Sequence, residues 1–446
     1  MKTYLDWSFY KDAGMGDAYA DIPKTGGHFA KAVAVCIKSG LCETERKGVM
    51  CPCYRVSEHS DFSTGGRVRL LKQALNGELG NLPFVDQALA RTMELCVGCK
   101  GCKRECENAV DMAMLKIEYL AQRYQQQKPS LRTCLFGNLA EYWSRFPLLR
   151  HLPALHNRYT WLAKLNQTLL GISADAHLPE PVKKPFQIQN HDSIAATNEV
   201  VLFIDTFTRN FHPENAHAAL QVLETAGYRV YLADLDLQDK KALCCGRTQL
   251  AHGLVAGAKQ NAQKMLAVLT PHVKAGRPII GLEPACLLAI RDDYKFLGLG
   301  EEAEHVAKKA ILFEEFIAKE KTAKRFKLDF KPVQGTILVH GHCHQKAVGA
   351  MKSMRKVLKL VPELKFEFIE SSCCGMAGSF GIEAENAEMA KQMAELNLLP
   401  ALREQPEAVV IANGFSCQHQ IRSHTEHQPK HIAVFLRDAM SEPNNN

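Results

Sequence analysis

The 446-residue chain has no run approaching eighteen consecutive apolar residues, so no membrane-spanning helix is expected. Its first stretch, MKTYLDWSFYKDAGMGDAYADIPKTGG, lacks the basic-then-apolar layout of a signal peptide. A cytoplasmic location is therefore expected. There is also little concentrated charge. Lys and Arg number 55 against 48 Asp and Glu, a net +7, and the basic stretches (Lys103 with Arg104, Lys183 with Lys184, Lys319 to Lys327) are short. Such charge reads as solvated surface rather than a nucleic-acid groove. The weak basic bias also suits an anionic membrane surface or an acidic partner. The rest of the composition, 46% apolar and 23% charged, is that of an ordinary globular protein with room for two or three cores.

Cysteine is not scarce: there are sixteen. In a reducing compartment so many thiols read as metal ligands or redox groups, not as a disulfide framework. CVGCKGCKREC places Cys96, Cys99, Cys102 and Cys106 two, two and three residues apart. Zinc can use two CxxC knuckles, but thiols packed this tightly suit an iron–sulfur cubane better. In two-cluster ferredoxins each run of three cysteines takes its fourth ligand from the other run. Upstream, CIKSGLC supplies Cys36 and Cys42 with Ser39 at the middle position, and Cys51 precedes Pro52. The crossed arrangement then groups Cys96, Cys99, Cys102 and Cys51. It leaves Cys36, Cys42 and Cys106 for a second site, unless Cys53 or Ser39 contributes. That site is a three-iron form, a labile cubane or nothing. Gly98 and Gly101 should relieve crowding and free amides for the sulfurs. Lys100, Lys103 and Arg104 either favour a reduced cluster or are solvated surface. Cys134 stands alone and reads as a packing residue.

Two helical patterns flank these cysteines. One is GRVRLLKQALNGEL. The other is AVDMAMLKIEYLAQRYQQQ, with Val110, Ala113, Met114, Ile117, Leu120, Ala121 and Tyr124 on one face. A helical region over 28–128 is expected. Residues 129–197 should hold amphipathic helices broken by Pro147 and Pro153, then the proline-rich HLPEPVKKPF. Their aromatic and leucine content suits packing against neighbouring domains, or a docking surface for a partner or a membrane interface.

The remainder repeats. VVLFIDTF, YRVYLADL and PIIGLEPAC alternate with helical segments over 198–330, as do TILVHGHC, LKFEFIESSCCG and AVVIANGFSC over 331–440. Each unit has a CCG. The order argues for an internal duplication of an α/β layout with parallel strands. Cysteines follow the strands, so at the carboxyl edge of one sheet Cys343, Cys373, Cys374 and Cys417 should converge. Four thiolates is the ligand count of an iron–sulfur cluster. Gly375 should leave room for sulfide and permit an unusual turn. The first unit has Cys244, Cys245 and Cys286 but lacks a fourth thiol, whose place falls near Phe207, so a degenerate site is expected. Strand alternation would put His342 and His344 on one side and Cys343 on the other. His340, His342 and His344 could ligate, bond a sulfur or take a proton, and hydrogen bonding around the cluster is the favoured role.

DTFTRNFHPE, GLEPACLLAIRDDY, HGHCHQKA, SSCCGMAGSFG and NGFSCQHQI resemble the cysteine-rich (CCG) domain family, which is shared with heterodisulfide reductase. CVGCKGCKRECENAVDM and GVMCPCYRVSEHSDFSTGGRVRLL resemble the iron–sulfur part of FAD-linked 2-hydroxy-acid dehydrogenases. Among the relatives are glycolate oxidase iron–sulfur subunits, fused D-lactate and D-2-hydroxyglutarate dehydrogenases, and a component of anaerobic glycerol-3-phosphate dehydrogenase. The resemblance covers roughly residues 28 to 440. It implies a helical dicluster-ferredoxin-like domain followed by a duplicated α/β CCG domain, with one to three 4Fe–4S clusters. It implies an electron-transfer subunit of an oxidoreductase acting on a lactate-, glycolate- or 2-hydroxyglutarate-like acid. No glycine-rich flavin motif is present, so FAD belongs on a partner subunit. Electrons then pass to an acceptor such as a quinone or cytochrome, with peripheral association on the inner face of the cell membrane an accompanying expectation. The sequence departs from the family's fullest pattern at Ser39, after Cys106, which lacks a following proline, and at CLLA and CQHQ, which have one cysteine each. These departures put the cluster number and any thiol/disulfide chemistry in question. Two other readings follow: a heterodisulfide-reductase-like enzyme, and a redox-sensing scaffold.

Overall fold

Up to residue 170 the described chain is built of helices and turns without a strand. The computed structural model describes residues 1–14, 16–44, 48–187, 198–236, 238 and 241–441. The last part of the expected 129–197 segment, residues 188–197, lies outside the described residues. Local signals set the helix ends. Ser63 caps the helix Thr64–Asn76 by accepting from the Gly66 amide, and Gly77 ends it at φ 79°. Asp111 caps Met112–Gln126 by accepting from the Met114 amide. That helix buries more than the expected stripe, because the start of the chain covers its other side. The Glu118 carboxylate accepts from the Tyr4 and Leu5 amides and the Trp7 indole.

Four helices follow: Leu131–Gly137, Leu139–Arg145, Leu152–Arg158 and Thr160–Leu170, with a 3-10 turn at Pro147–His151. Pro147 opens that turn. Pro153 breaks nothing, contrary to expectation. It sits in the first turn of Leu152–Arg158, where the missing N–H has no intrahelical partner to lose. Among the described residues, no helix is long and apolar enough to cross a membrane.

From residue 198 strand and helix alternate. β1 (Asn198–Phe203), β2 (Tyr228–Ala233), β3 (Ile279–Gly281) and β4 (Ala310–Leu312) form one sheet, ordered β2-β1-β3-β4. β5 (Thr336–His340), β6 (Lys365–Phe368) and β7 (Val409–Ala412) form another, ordered β6-β5-β7. Every pairing is parallel. Each sheet sets its first strand in the centre, its second on one side and its third on the other. Val201 pairs with Ile279, and Ile337 with Val409. β1 and β5 are buried on both faces, which is why VVLF and ILV are continuous apolar runs. Apolar residues of both sheets, Leu202 and Val339 among them, share one buried cluster. β4 was not expected, since three residues carry no legible period.

The strands end sooner than their sequences suggested. Cys343 opens the helix Cys343–Ala347, Cys286 lies in Pro284–Leu288, and Cys417 lies in Phe415–His424. The expected alternation of His342 and His344 across an extended strand is therefore wrong. His342 caps a helix and His344 is within it.

Candidate metal centre

The cysteines gather into four groups. In the second sheet, Cys343 comes from the helix after β5, Cys373 and Cys374 from the loop after β6, and Cys417 from the helix after β7. All four are buried. Their thiols touch in sequence, Cys343 to Cys373, Cys373 to Cys374, Cys374 to Cys417. The bond to Cys373 and then burial push the Cys343 thiol well above its ordinary value. His340, the last residue of β5, brings a ring nitrogen within 4.8 Å of the Cys374 and Cys417 sulfurs. Ser371 Oγ fixes its Nδ1 at 2.9 Å, while Nε2 is buried without a partner. Burial holds its pKa well below the ordinary value, so the ring is neutral.

The CC–Gly turn is tight for a reason other than room for sulfide. Gly375 has φ 88°, and an added Cβ would meet the Ala390 carbonyl oxygen at 2.0 Å. Its amide points at Cys373 Sγ, 3.5 Å away.

Sequence reasoning missed Lys346. Its ammonium donates to the Ser371 carbonyl at 2.6 Å and to Ser371 Oγ at 3.1 Å. Burial lowers its pKa, and the four thiols oppose that shift. The signal was present in CHQK, because residues three apart on a helix share a face.

The first sheet repeats this layout with one substitution. Cys244 contacts Cys245, and Cys245 contacts Cys286. Thr206 opens the helix after β1 as Cys343 opens the one after β5. Its hydroxyl bonds Cys244. The missing thiol thus corresponds to Thr206, one residue before the expected position. Gly246 again has positive φ, 75°. The Glu283 carboxylate caps its own helix at Ala285 and also accepts from the Phe415 amide at 2.7 Å. One buried acid thereby ties the two cysteine-bearing helices together. Burial, then Asp205, push it up to about 8.

In the helical region Cys51, Cys53, Cys96, Cys99 and Cys102 line one small void. Thr64 contacts Cys51 Sγ through its amide at 3.1 Å and its hydroxyl at 3.0 Å. Burial and then the Arg67 charge act in opposite directions on Cys51, whose thiol is pushed up to about 12. Cys99 also belongs to the buried cluster that holds Cys343, Cys373, Cys374 and Cys417. Gly101 is needed for contact rather than for freedom alone, since a Cβ would meet the Met50 amide nitrogen at 2.7 Å.

Cys36, Cys42 and Cys106 line a separate cavity of about 290 Å³ together with Ser39. The Gly65 amide donates to Cys42 Sγ at 3.3 Å. Cys53 does not join them. It accepts from the Arg67 guanidinium at 2.8 Å, beside Cys51 and Cys96. Cys134 lies half-buried in Leu131–Gly137 and joins none of the groups.

Two expectations about charge are corrected. Lys100 is 3% exposed and pairs with Asp292 and Asp293, and Lys103 pairs with Asp111 and Asp292. Lys100 is therefore not solvated surface, and Lys103 is half-buried. They fasten the Cys96–Cys106 loop to the first sheet's unit. His344, from the second unit, reaches the same loop by donating Nε2–H to the Gly98 carbonyl at 3.0 Å. Burial lowers the His342 pKa to about 3, so its Nδ1 accepts from the His344 amide at 3.1 Å.

A cavity of about 510 Å³ opens beside the Cys343 group, lined by Cys374, Cys417, His342, Phe207, Arg247 and Phe380 among others.

Residues 337–422 match the CCG cysteine-rich domain family. Over longer spans the chain is similar to three oxidoreductase components. It is 24% identical to a D-2-hydroxyglutarate dehydrogenase of Escherichia coli over 87% of this chain and 42% of that protein. Identity to a component of the anaerobic glycerol-3-phosphate dehydrogenase of the same species is 25%, over 55% of this chain and 60% of that one. A probable glycolate oxidase iron–sulfur subunit of Bacillus subtilis is 24% identical over 91% of this chain and 93% of its own length. The chain spans about two fifths of the length of the D-2-hydroxyglutarate dehydrogenases it matches.

Proposed function

We propose that this chain is the iron–sulfur subunit of a flavin-dependent 2-hydroxy-acid dehydrogenase. It receives electrons from a partner FAD subunit and hands them to an acceptor such as a quinone or cytochrome. The observation that carries this reading is the convergence of fifteen cysteines, all but Cys134, into four groups drawn from separate elements. The two units from 198–330 and 331–440 are read as a duplication, and the 28–128 region as ferredoxin-like. The whole-length match to a glycolate oxidase iron–sulfur subunit supports the assignment.

The donor sets fit iron–sulfur clusters. Arg67 is fully buried, bonds only Cys53 Sγ and the Thr92 carbonyl, and has no carboxylate within ion-pair distance among the described residues. A buried guanidinium needs a counter-charge. Thiolates around an anionic cluster provide one, and neutral thiols do not. Lys346 stands in the same relation to the second group, and His340 Nε2 is buried without a partner.

Cys343, Cys373, Cys374 and Cys417 would hold one cluster, with His340 and Lys346 hydrogen bonding or balancing charge. Cys51, Cys96, Cys99 and Cys102 would hold another. Cys36, Cys42 and Cys106 form a three-thiol site, as do Cys244, Cys245 and Cys286. When bound, such clusters supply one-electron carriers. The chain's own part is to bury them, aim N–H donors from Gly65, Gly375 and Thr64 at the sulfurs, and pack the loop carrying Cys99 against the Cys343 group. His342 and His344 fix that packing.

Iron and acid-labile sulfide per chain, on protein purified without oxygen, test this. About eight irons with more than one reduced paramagnetic signal are expected. Zinc without sulfide would remove the electron-transfer reading. The cavity beside the Cys343 group favours one second reading, a thiol/disulfide enzyme in which two electrons and two protons cleave a bound disulfide to two thiols. Turnover of a small disulfide by the isolated chain, supplied with a chemical reductant, would select it.

A further inference from the structure

Arg247 follows the Cys-Cys-Gly of the first unit and opens the helix Arg247–Ala251. It is half-buried and lines the cavity of about 510 Å³ beside the Cys343 group. Among the described residues its guanidinium has no hydrogen bond, no ion pair and no ring contact. The cavity's other cations are engaged or in water. Arg123 pairs with Glu94, and Arg132 with Glu383 and Glu385. Lys116 donates to the Glu94 and Cys96 carbonyls, and Lys128 is exposed. The one further acid in the wall, Glu283, has its oxygens taken by the Ala285 and Phe415 amides.

The cysteine groups do not account for this charge either. Lys346 already faces the Cys343 thiols, and Arg67 faces Cys51, Cys53 and Cys96. Arg247 instead brings a guanidinium nitrogen to 4.0 Å from where a Cβ on Gly98 would stand. A guanidinium drawn partly out of water is matched best by an anion with two oxygens, which meets its paired N–H groups. The walls offer none.

The rest of the cavity sets what carries that anion. Phe207 and Phe415 stack with ring centroids 4.8 Å apart and planes at 23°. Both are half-buried and line the cavity, so ring surface stays free there. The cavity meets solvent at the exposed Gln127, Lys128 and Ser130 and reaches the buried Cys374 and Cys417. Its volume is that of a small-molecule site, where apolar walls give contact and few polar groups fix orientation.

We propose that this cavity binds a small organic monocarboxylate, its carboxylate paired with Arg247 and its apolar body laid against Phe207 and Phe415. Inorganic phosphate would satisfy the guanidinium and leave the phenyl wall bare. A neutral apolar molecule would do the reverse. The site does not depend on the electron-transfer reading, because neither the cation nor the aromatic wall belongs to a cysteine group.

Calorimetric titration of the full chain, purified without oxygen, with phenylacetate, phenylacetamide and acetate tests this. Phenylacetate should bind at a single site. Phenylacetamide keeps the shape without the charge and should bind at least about tenfold more weakly. Acetate should also bind at least about tenfold more weakly, because it leaves the phenyl wall uncovered. Arg247→Gln should weaken phenylacetate by at least about tenfold and remove the preference over phenylacetamide, with an unchanged thermal midpoint, since the guanidinium has no contact to lose. Arg247→Lys should restore part of the affinity. A wild-type chain that binds none of the three probes at millimolar concentration overturns the proposal. So does equal wild-type affinity for phenylacetate and phenylacetamide. A lowered midpoint in Arg247→Gln with unchanged phenylacetate binding also overturns it, and makes the cation a structural counter-charge. None of these readouts uses iron or electrons, so their failure leaves the electron-transfer reading standing.

Discussion

His344 Nε2 donates to the carbonyl oxygen of Gly98 across 3.0 Å, although 246 positions separate the two residues. One hydrogen bond thus joins the helix that begins with Cys343 to the loop that carries Cys96, Cys99 and Cys102. Both partners are neutral, since burial holds His344 well below its ordinary pKa. His344→Leu should leave the half-buried Gly98 carbonyl without its donor, at a cost of about 1 kcal/mol in urea unfolding. The paramagnetic signal of reduced protein should change shape in the same variant, because the Cys96–Cys102 loop loses its fixed position.

Gly375→Ala should be far more damaging than Gly246→Ala. Both sit at positive φ after a cysteine pair, but the added Cβ meets a carbonyl oxygen at 2.0 Å in the first case and 3.0 Å in the second. The Gly375 variant is expected to lose about 2–4 kcal/mol and the iron of the Cys343 group. Thermal unfolding and iron content of the two variants side by side check this.

Thr206→Cys should complete the degenerate site. Thr206 already bonds Cys244 and occupies the helix position that Cys343 holds in the second unit. The variant, reconstituted with iron and sulfide, is expected to take up to about four more irons per chain than the parent. An unchanged iron count would mean that the first unit's cavity cannot admit a cluster whatever its ligands.

Stability should change in two pH windows below neutrality, through different residues. Burial raises the Glu314 pKa from 4.5 to about 7, while Gln345 and Asn413 donate to its two oxygens. A carboxyl with a raised folded pKa costs nothing below pH 4.5, and its penalty grows as pH climbs from there to about 7. Glu314→Gln should flatten that slope in urea unfolding. On the acid side, Lys100 and Lys103 outweigh burial and hold Asp292 below the ordinary carboxylate range. Its contribution is present above about pH 4 and is lost as pH falls further. Asp292→Asn should remove that acid limb.

Much of the chemistry was legible from sequence, because it depends on local spacing. CVGCKGC and the Cys51–Pro52 step were the readable local patterns. The alternation of apolar strands with helices placed the later cysteines just after the strands, while Cys51 lies near Cys96, and Cys106 near Cys36. Short elements were less legible. A helix of five residues such as Cys343–Ala347 has too little period to be told from a strand's end, so the sides on which His342 and His344 lie were misplaced.

What the sequence determined by itself was which side chains could act as ligands, since a thiol is chemically distinctive wherever it lies. It also determined the parallel α/β layout, since apolar runs and helical periods are properties of neighbours in the chain. Tertiary structure alone decided where the charges go. Lys100 and Lys103 read either as cations favouring a reduced cluster or as solvated surface, and the fold buries Lys100 and pairs both with acids nearly two hundred positions away. It likewise decided that Cys53 serves Arg67, that Thr206 takes the fourth thiol's place, and that His344 reaches Gly98. Each of these is a contact between distant segments, whose energy depends on burial and direction, and neither quantity is written in the spacing of residues.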